Sequence, residues 1–192
     1  MKNIIQLVLI MFVFSSCATI VTWFRPGYFT HLYDGKYTGI DTLINVDGYY
    51  YSDPDSNLNI NRVMFFRDGS IARTKSKEEN EIYDKNNKDN NKFTPRWGVY
   101  RLERDTIISQ FILYFGGAES MGTSLDTYVI KSKSEIEFYS TNKPFYTKNM
   151  ERVGIPLYFH PYPDRIDSTH WVKDHRWFWK DKKAYKEYKK NK

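Results

Sequence analysis

The chain has 192 residues, a formal net charge of +6, 18% aromatic residues and a single cysteine. So aromatic a composition, with moderate glycine and proline, excludes global disorder, and one cysteine excludes any disulfide within a monomer, so packing alone must hold the fold. Charge is unevenly placed: seven lysines lie between Lys180 and Lys192 against Asp181 and Glu187, and setting aside that tail and Lys2 leaves 21 basic against 21 acidic residues. A neutral body with a basic tail does not make a nucleic-acid-binding face, and no nucleic-acid partner is expected.

At the start, Met1-Lys2-Asn3 is short and positive, and Ile4 to Phe14 is apolar except for Gln6. A spanning helix needs roughly 20 apolar residues, whereas a run of roughly 7–15 behind a positive start fits the hydrophobic region of an export signal. The next stretch, Phe14-Ser15-Ser16-Cys17, resembles the bacterial lipobox, with Phe14 where that motif usually has Leu, Val or Ile. The resemblance implies a signal peptide over residues 1–16, cleavage before Cys17, lipidation of Cys17 through a thioether, and acylation of the freed amine. The alternative is an ordinary secretory signal that leaves Cys17 as an odd thiol. Each buried methylene contributes about 0.8 kcal/mol, so two or three acyl chains hold firmly. The expected partner is therefore a membrane, reached through acylated Cys17. Neither Ala18 nor Thr19 is acidic, which by the same resemblance fits sorting to an outer membrane.

Residues 17–39 form a membrane-proximal segment without a polar spacer, carrying Trp23, Phe24, Tyr28 and Phe29. These rings either pack on the domain as its first element or sit at the lipid–water interface, where Trp and Tyr are favoured. From Ile40 onward short runs rich in Val, Ile, Tyr and Phe alternate with turn signals, the pattern of strands. Leu43 to Tyr51 is one candidate, interrupted by Asp47-Gly48 as a bulge or tight turn. Arg62–Arg67 and Ser70–Thr74 flank Asp68-Gly69, a strong hairpin signal. Trp97–Glu103 and Thr106–Phe115 flank Arg104-Asp105, with Ile107, Ser109, Phe111, Leu113 and Phe115 on one face; Leu125–Lys131 and Glu135–Thr141 flank Ser132-Lys133-Ser134. Three consecutive hairpins predict an antiparallel meander.

Two segments break the rhythm. Lys75 to Lys92 is crowded with Lys, Glu, Asn and Asp and reads as a long solvated loop. Asn142 to Pro163 carries Pro144, Pro156, Pro161 and Pro163, a density that predicts an edge or covering segment in place of a central strand. The aromatic stretch Trp171, Trp177, Phe178 and Trp179 leads into residues 180–192, a Lys-rich tail expected to form a short helix with Ala184, Tyr185 and Tyr188 on one side.

A meander must deal with its edges, and closure into a barrel is the usual solution. Gly48-Tyr49-Tyr50-Tyr51, the Phe65-Phe66-Arg67-Asp68-Gly69 hairpin, and Trp97-Gly98-Val99-Tyr100 followed by Asp105-Thr106-Ile107 together resemble small lipocalin-like domains of uncharacterised bacterial lipoproteins, over roughly residues 40–141. The resemblance implies an all-β fold, an antiparallel closed or partly open barrel within residues 40–179, whose inward positions fill the interior or line a cavity. Candidate lining residues are Tyr49, Tyr51, Trp97, Tyr100 and Phe111, although Trp97 beside Gly98 also suits a structural plug at one barrel end. Alternation sends Tyr49 and Tyr51 one way and Tyr50 the other. Tyr158, Phe159 and Tyr162 are further aromatic candidates.

No Gly-x-Ser-x-Gly elbow, phosphate loop or His-Glu-x-x-His occurs, and His170 and His175 stand one position beyond the spacing that puts two ligands on one helical face. No enzymatic activity, metal or cofactor is expected. The expectation is a membrane-anchored binder of a small apolar ligand or lipid at the cell envelope. The rival is a non-catalytic subunit that docks on another envelope protein.

Overall fold

The three turn sequences close three hairpins. Asp68-Gly69 joins β2 (Arg62–Phe65) to β3 (Ser70–Thr74), with Gly69 at φ 86° and the Asp68 carboxylate accepting from the Ser70 amide at 3.0 Å and its hydroxyl at 2.6 Å. Arg104-Asp105 joins β4 (Arg96–Glu103) to β5 (Thr106–Tyr114), and Arg104 takes the left-handed φ of 59° that suits a two-residue hairpin loop. Residues 131–134 join β6 (Met121–Ile130) to β7 (Glu135–Asn142). With β1 (Gly48–Tyr51) and β8 (Met150–Pro161) these make a closed barrel of eight antiparallel strands in sequence order, β8 pairing with β1. This is the lipocalin-like meander the sequence predicts. The computed structural model describes residues 29–30, 32–52, 62–74, 95–114, 121–142, 150–162, 168 and 170–192. The Lys75–Lys92 loop, Cys17, Trp23, Phe24, Tyr28 and His31 lie outside them.

Two expectations are corrected. Of the segment from Leu43 to Tyr51 only Gly48–Tyr51 is strand. Before it, Gly39 at φ 75° starts a 3-10 turn over Ile40–Thr42, and the amides of Leu43 and Ile44 donate to the Ile40 carbonyl at 2.9 Å. The Thr38 amide donates to Arg67 O at 2.8 Å and that of Asn45 to Lys133 O at 2.9 Å. The chain thus crosses the barrel mouth from the β2–β3 turn to the β6–β7 turn on the opposite wall. Ile40, Ile44 and Val46, all buried within the interior cluster, plug that end.

Asn142 to Pro163 was expected to avoid a central position, yet β8 is twelve residues long and pairs with β7 on one side and β1 on the other. Its two partners overlap little: β7 pairs with residues 150–158 and β1 with residues 158–161. The Phe159 amide donates toward β7, to Ser134 O, and the Tyr162 amide toward β1, to Asp47 O. Alternation therefore turns the nitrogen of Pro156 toward the side where β1 has ended, and that of Pro161 toward the side where β7 has not begun. Each proline stands where its strand is locally an edge, which is where a missing donor is tolerated.

Side chains sort into two cores by strand alternation. Tyr50, Val63, Phe65, Ile71, Tyr100, Ile107, Phe111, Leu113, Tyr128, Ile136, Phe138 and Leu157 fill the interior. The outer cluster gathers Tyr49, Met64, Phe66, Ala72, Trp97, Val99 and Ile112 beneath Phe29, Tyr33, Val172, Phe178 and Trp179, so the terminal segments cover one wall of the barrel. Tyr33 bridges Trp179 in parallel, and Phe29 packs on Phe178 with centroids 5.9 Å apart. The tail forms α1 (Lys182–Asn191), as expected, with Asp181 capping the amides of Lys183 and Ala184. Ala184, Tyr185 and Tyr188 lean on the outer cluster. Gly48 and Gly98 mark two close strand approaches, since a Cβ would run into the carbonyl oxygen of His160 at the first and of Gln110 at the second.

Candidate functional site

Plugging makes the two barrel ends unequal. In the plugged half Phe65 of β2 meets Tyr50, Tyr100 and Tyr128 edge-on at 6.0, 5.7 and 5.7 Å, and Tyr128 stacks on Phe138 at 5.3 Å. Strands β2 and β6 stand on opposite walls, so the Phe65–Tyr128 contact closes the lumen at this level. The phenols keep their protons: burial pushes Tyr50, Tyr100 and Tyr128 far above the ordinary tyrosine value. Tyr50 donates to Lys133 O at 2.6 Å and Tyr100 to Phe66 O at 2.6 Å.

Next to this aromatic floor lies a polar layer. Arg73 of β3 reaches across the lumen over the Phe111 ring, 4.5 Å from its centroid, to ion-pair with Asp126 of β6. The Asp126 side chain is 0% exposed and that of Arg73 9%. Asp126 also accepts from the Thr141 hydroxyl at 2.6 Å, and from Tyr128 at 3.4 Å. Placing two charges here is costly, and removing either partner of such a buried pair typically costs about 3–5 kcal/mol because the other charge is stranded. Arg96, the first residue of β4, is the cross-strand partner of Arg73 and shares its face. Burial lowers the Arg96 pKa, the Arg73 guanidinium lowers it further, and Asp126 acts in the opposite sense. The Nε of Arg73 and the Oγ of Ser124 are buried with no hydrogen-bond partner among the described residues.

This layer faces the barrel end opposite that plug. Every connection at the plugged end is a short turn, whereas residues 53–61, 75–94, 115–120 and 143–149, all outside the described residues, connect strands at the other.

The five predicted lining residues do not meet in one cavity. Tyr100 and Phe111 point inward, Tyr100 in the filled half and Phe111 beneath Arg73. Tyr49, Tyr51 and Trp97 stand on the outer wall; of the three adjacent tyrosines it is Tyr50 that turns in. Trp97 plugs neither end but stacks on His170, 4.1 Å between centroids and 9° from parallel. Phe159 packs at the interior cluster, Tyr162 at the outer one, and Tyr158 is 47% exposed. Arg73, Asp126 and Ser124 were not anticipated, although a signal existed: each shares strand parity with a core residue, Ile71 for the first and Tyr128 for the other two.

A cleft of about 570 Å³ also opens outside the barrel, between Tyr33, Tyr37, Asp68, Tyr100 and Lys180. Its carboxylate is fully engaged. Asp68 accepts from Tyr33 at 2.9 Å and from Lys173 at 2.7 Å; burial would raise its pKa, but Lys173 and the Ser70 donors prevail and hold it at about 2. The group ties the C-terminal segment to the β2–β3 turn and leaves little to bind a ligand. The chain matches no family model, no curated protein and no solved structure. Its lipocalin-like character therefore rests on the barrel itself. Among the described residues no group of His, Cys, Asp or Glu is arranged to hold a metal ion.

Proposed function

We propose that this protein is an envelope lipoprotein, anchored through Cys17, whose barrel holds a small lipid-like ligand at the end opposite the Ile40–Ile44–Val46 plug. The observation that carries the reading is the polarity of the barrel: one end is plugged by Ile40, Ile44 and Val46 over an aromatic floor, and the other presents a buried polar layer whose donors are not all matched among the described residues. A purely structural barrel gains nothing from stranding charged groups in its lumen. The rival reading, docking on another envelope protein, is weakened because the apolar outer wall of β1 to β5 is already covered by the chain's own terminal segments.

The anchor reading is supported by Phe14-Ser15-Ser16-Cys17. Twelve residue steps lead from Cys17 to Phe29, which is packed on the barrel wall. Even fully extended they reach about 40 Å, so the ligand of this reading is one found at the membrane surface. Mass spectrometry of small molecules extracted with the natively purified protein tests the function: a recurrent lipid supports it, and a recurrent protein partner with no lipid overturns it. Cys17→Ser tests the anchor, with loss of processing and of membrane fractionation as the expected outcome; a variant processed and retained as before would refute it.

A further inference from the structure

The interior, as far as it is described, holds two guanidiniums and one carboxylate in its polar layer. Asp126 is committed to Arg73, Thr141 and Tyr128. Arg96 makes no ion pair with any described residue, although Arg73 stands directly across from it on β3. Two like charges on neighbouring positions repel, and one carboxylate cannot neutralise both. Beside them two donors have no partner among the described residues: Nε of Arg73, on a side chain 9% exposed, and Oγ of Ser124, 3% exposed. Both flank Phe111, since Arg73 lies over its ring and Ser124 is its cross-strand partner on β6. A buried donor left unmatched costs about 1–3 kcal/mol, and a surplus positive charge in a low-dielectric lumen costs more. Both defects are cured by a single anionic group carrying at least two acceptor oxygens.

We infer that Arg96, Arg73 Nε and Ser124 form a receptor for the carboxylate head of a monoanionic amphiphile held at the barrel end opposite the plug. This rests on the ligand-binding reading above and names the ligand's class. The charge count among the described residues selects a monoanion: a single negative charge brings the layer to neutrality, whereas a dianion such as a phosphate monoester would reverse the imbalance. A carboxylate also offers two oxygens in the plane that a guanidinium fork matches. The aromatic floor limits depth, so the apolar part of the ligand extends from the layer toward the opposite barrel end, not down into the plugged half.

Binding of dodecanoate and of dodecan-1-ol, measured by calorimetry on the full chain carrying Cys17→Ser, tests the assignment. Arg96 is the informative position because it is half-buried and without an ion pair among the described residues, whereas an Arg73 variant strands Asp126 and tests stability in place of binding. The acid is expected to bind more tightly than the alcohol, and Arg96→Gln to weaken the acid about 10–100-fold while leaving the alcohol unchanged and the melting temperature of the free protein no lower than the parent's. Ser124→Ala is expected to weaken the acid severalfold, and Lys186→Gln on the exposed face of α1 to change nothing. Equal binding of acid and alcohol, or a preference for the acid that survives Arg96→Gln, overturns the carboxylate receptor but leaves the ligand-binding reading standing. If neither compound binds, both are overturned.

Discussion

Truncating Phe65 to alanine measures how full the plugged half of the barrel is. The ring is 1% exposed and touches Tyr50, Tyr100 and Tyr128 at centroid distances between 5.7 and 6.0 Å, each nearly perpendicular. Removing a phenylalanine from a close-packed core costs about 3–5 kcal/mol, and three edge-to-face partners, worth about 0.5–1.5 kcal/mol each, place Phe65→Ala toward the upper part of that range. For a chain of this size each kcal/mol lowers the melting temperature by about 2–4 °C, so a fall of roughly 6–20 °C is expected. Urea unfolding followed by near-ultraviolet circular dichroism reads the free energy and, through the aromatic signal, the packing itself. Tyr158→Ala is the control: at 47% exposure it should stay within about 0.5 kcal/mol of the parent. If Phe65→Ala costs less than about 1.5 kcal/mol, the scale of a swap that a core tolerates, the lumen is hollow at this level and the division into a filled and a receptive half is wrong.

Asp126→Asn removes the charge that neutralises Arg73 and is expected to cost about 3–5 kcal/mol in urea unfolding, whereas the double replacement Arg73→Met with Asp126→Leu should recover most of that loss, since an apolar pair strands nothing. Gly48→Ala pushes a methyl into the His160 carbonyl at the β1–β8 seam and should lower stability by about 1–3 kcal/mol; unchanged melting would mean that the seam is not close-packed. His170 gives the pH dependence. Burial, with Lys173 acting in the same direction, pushes its pKa from 6.5 to about 3, so between those values the unfolded chain binds a proton that the folded chain refuses, and stability falls as pH drops from 6.5 toward 3. His170→Phe should abolish that slope and, because neither ring nitrogen has a hydrogen-bond partner among the described residues, raise stability at neutral pH as well. Asp68, held at about 2 against 3.8, contributes stability that is present above 3.8 and lost as pH falls through 2; any slope above pH 4 that survives His170→Phe has another source.

The meander could be read from the sequence because its information is local. Asp68-Gly69, Arg104-Asp105 and the serine-flanked Lys133 each set a turn within a few residues, and two-residue alternation on either side fixed which side chains pair. The errors came where a distant partner decides. Leu43 to Asp47 alternates well enough for a strand, but the Asn45 amide bonds to the β6–β7 turn, as that of Thr38, shortly before, bonds to the β2–β3 turn, and Ile40 with Ile44 plugs a barrel mouth that exists only once eight strands have closed. Pro156 and Pro161 argue against a paired strand when counted along the chain. They become acceptable when β1 and β7 are seen to cover different halves of β8.

The site follows the same division. Alternation separates Tyr50 from Tyr49 and Tyr51 correctly, but it cannot say which parity faces the lumen, because this barrel is apolar on both sides of one wall: the outer face of β1 to β5 is buried by the terminal segments. An aromatic residue therefore carries no information about direction here, and Trp97 reads as interior when it is the stacking partner of His170. A charged residue is the better indicator. Its burial is expensive on either face, so one placed at the same parity as Ile71 or Tyr128 marks a position where the fold bears the cost for a reason. Arg73 and Asp126 were visible at those positions, and their pairing across the lumen required only that β3 and β6 come to face each other. In a barrel padded with aromatic rings, the residues worth following first are the few charges that share a face with the core.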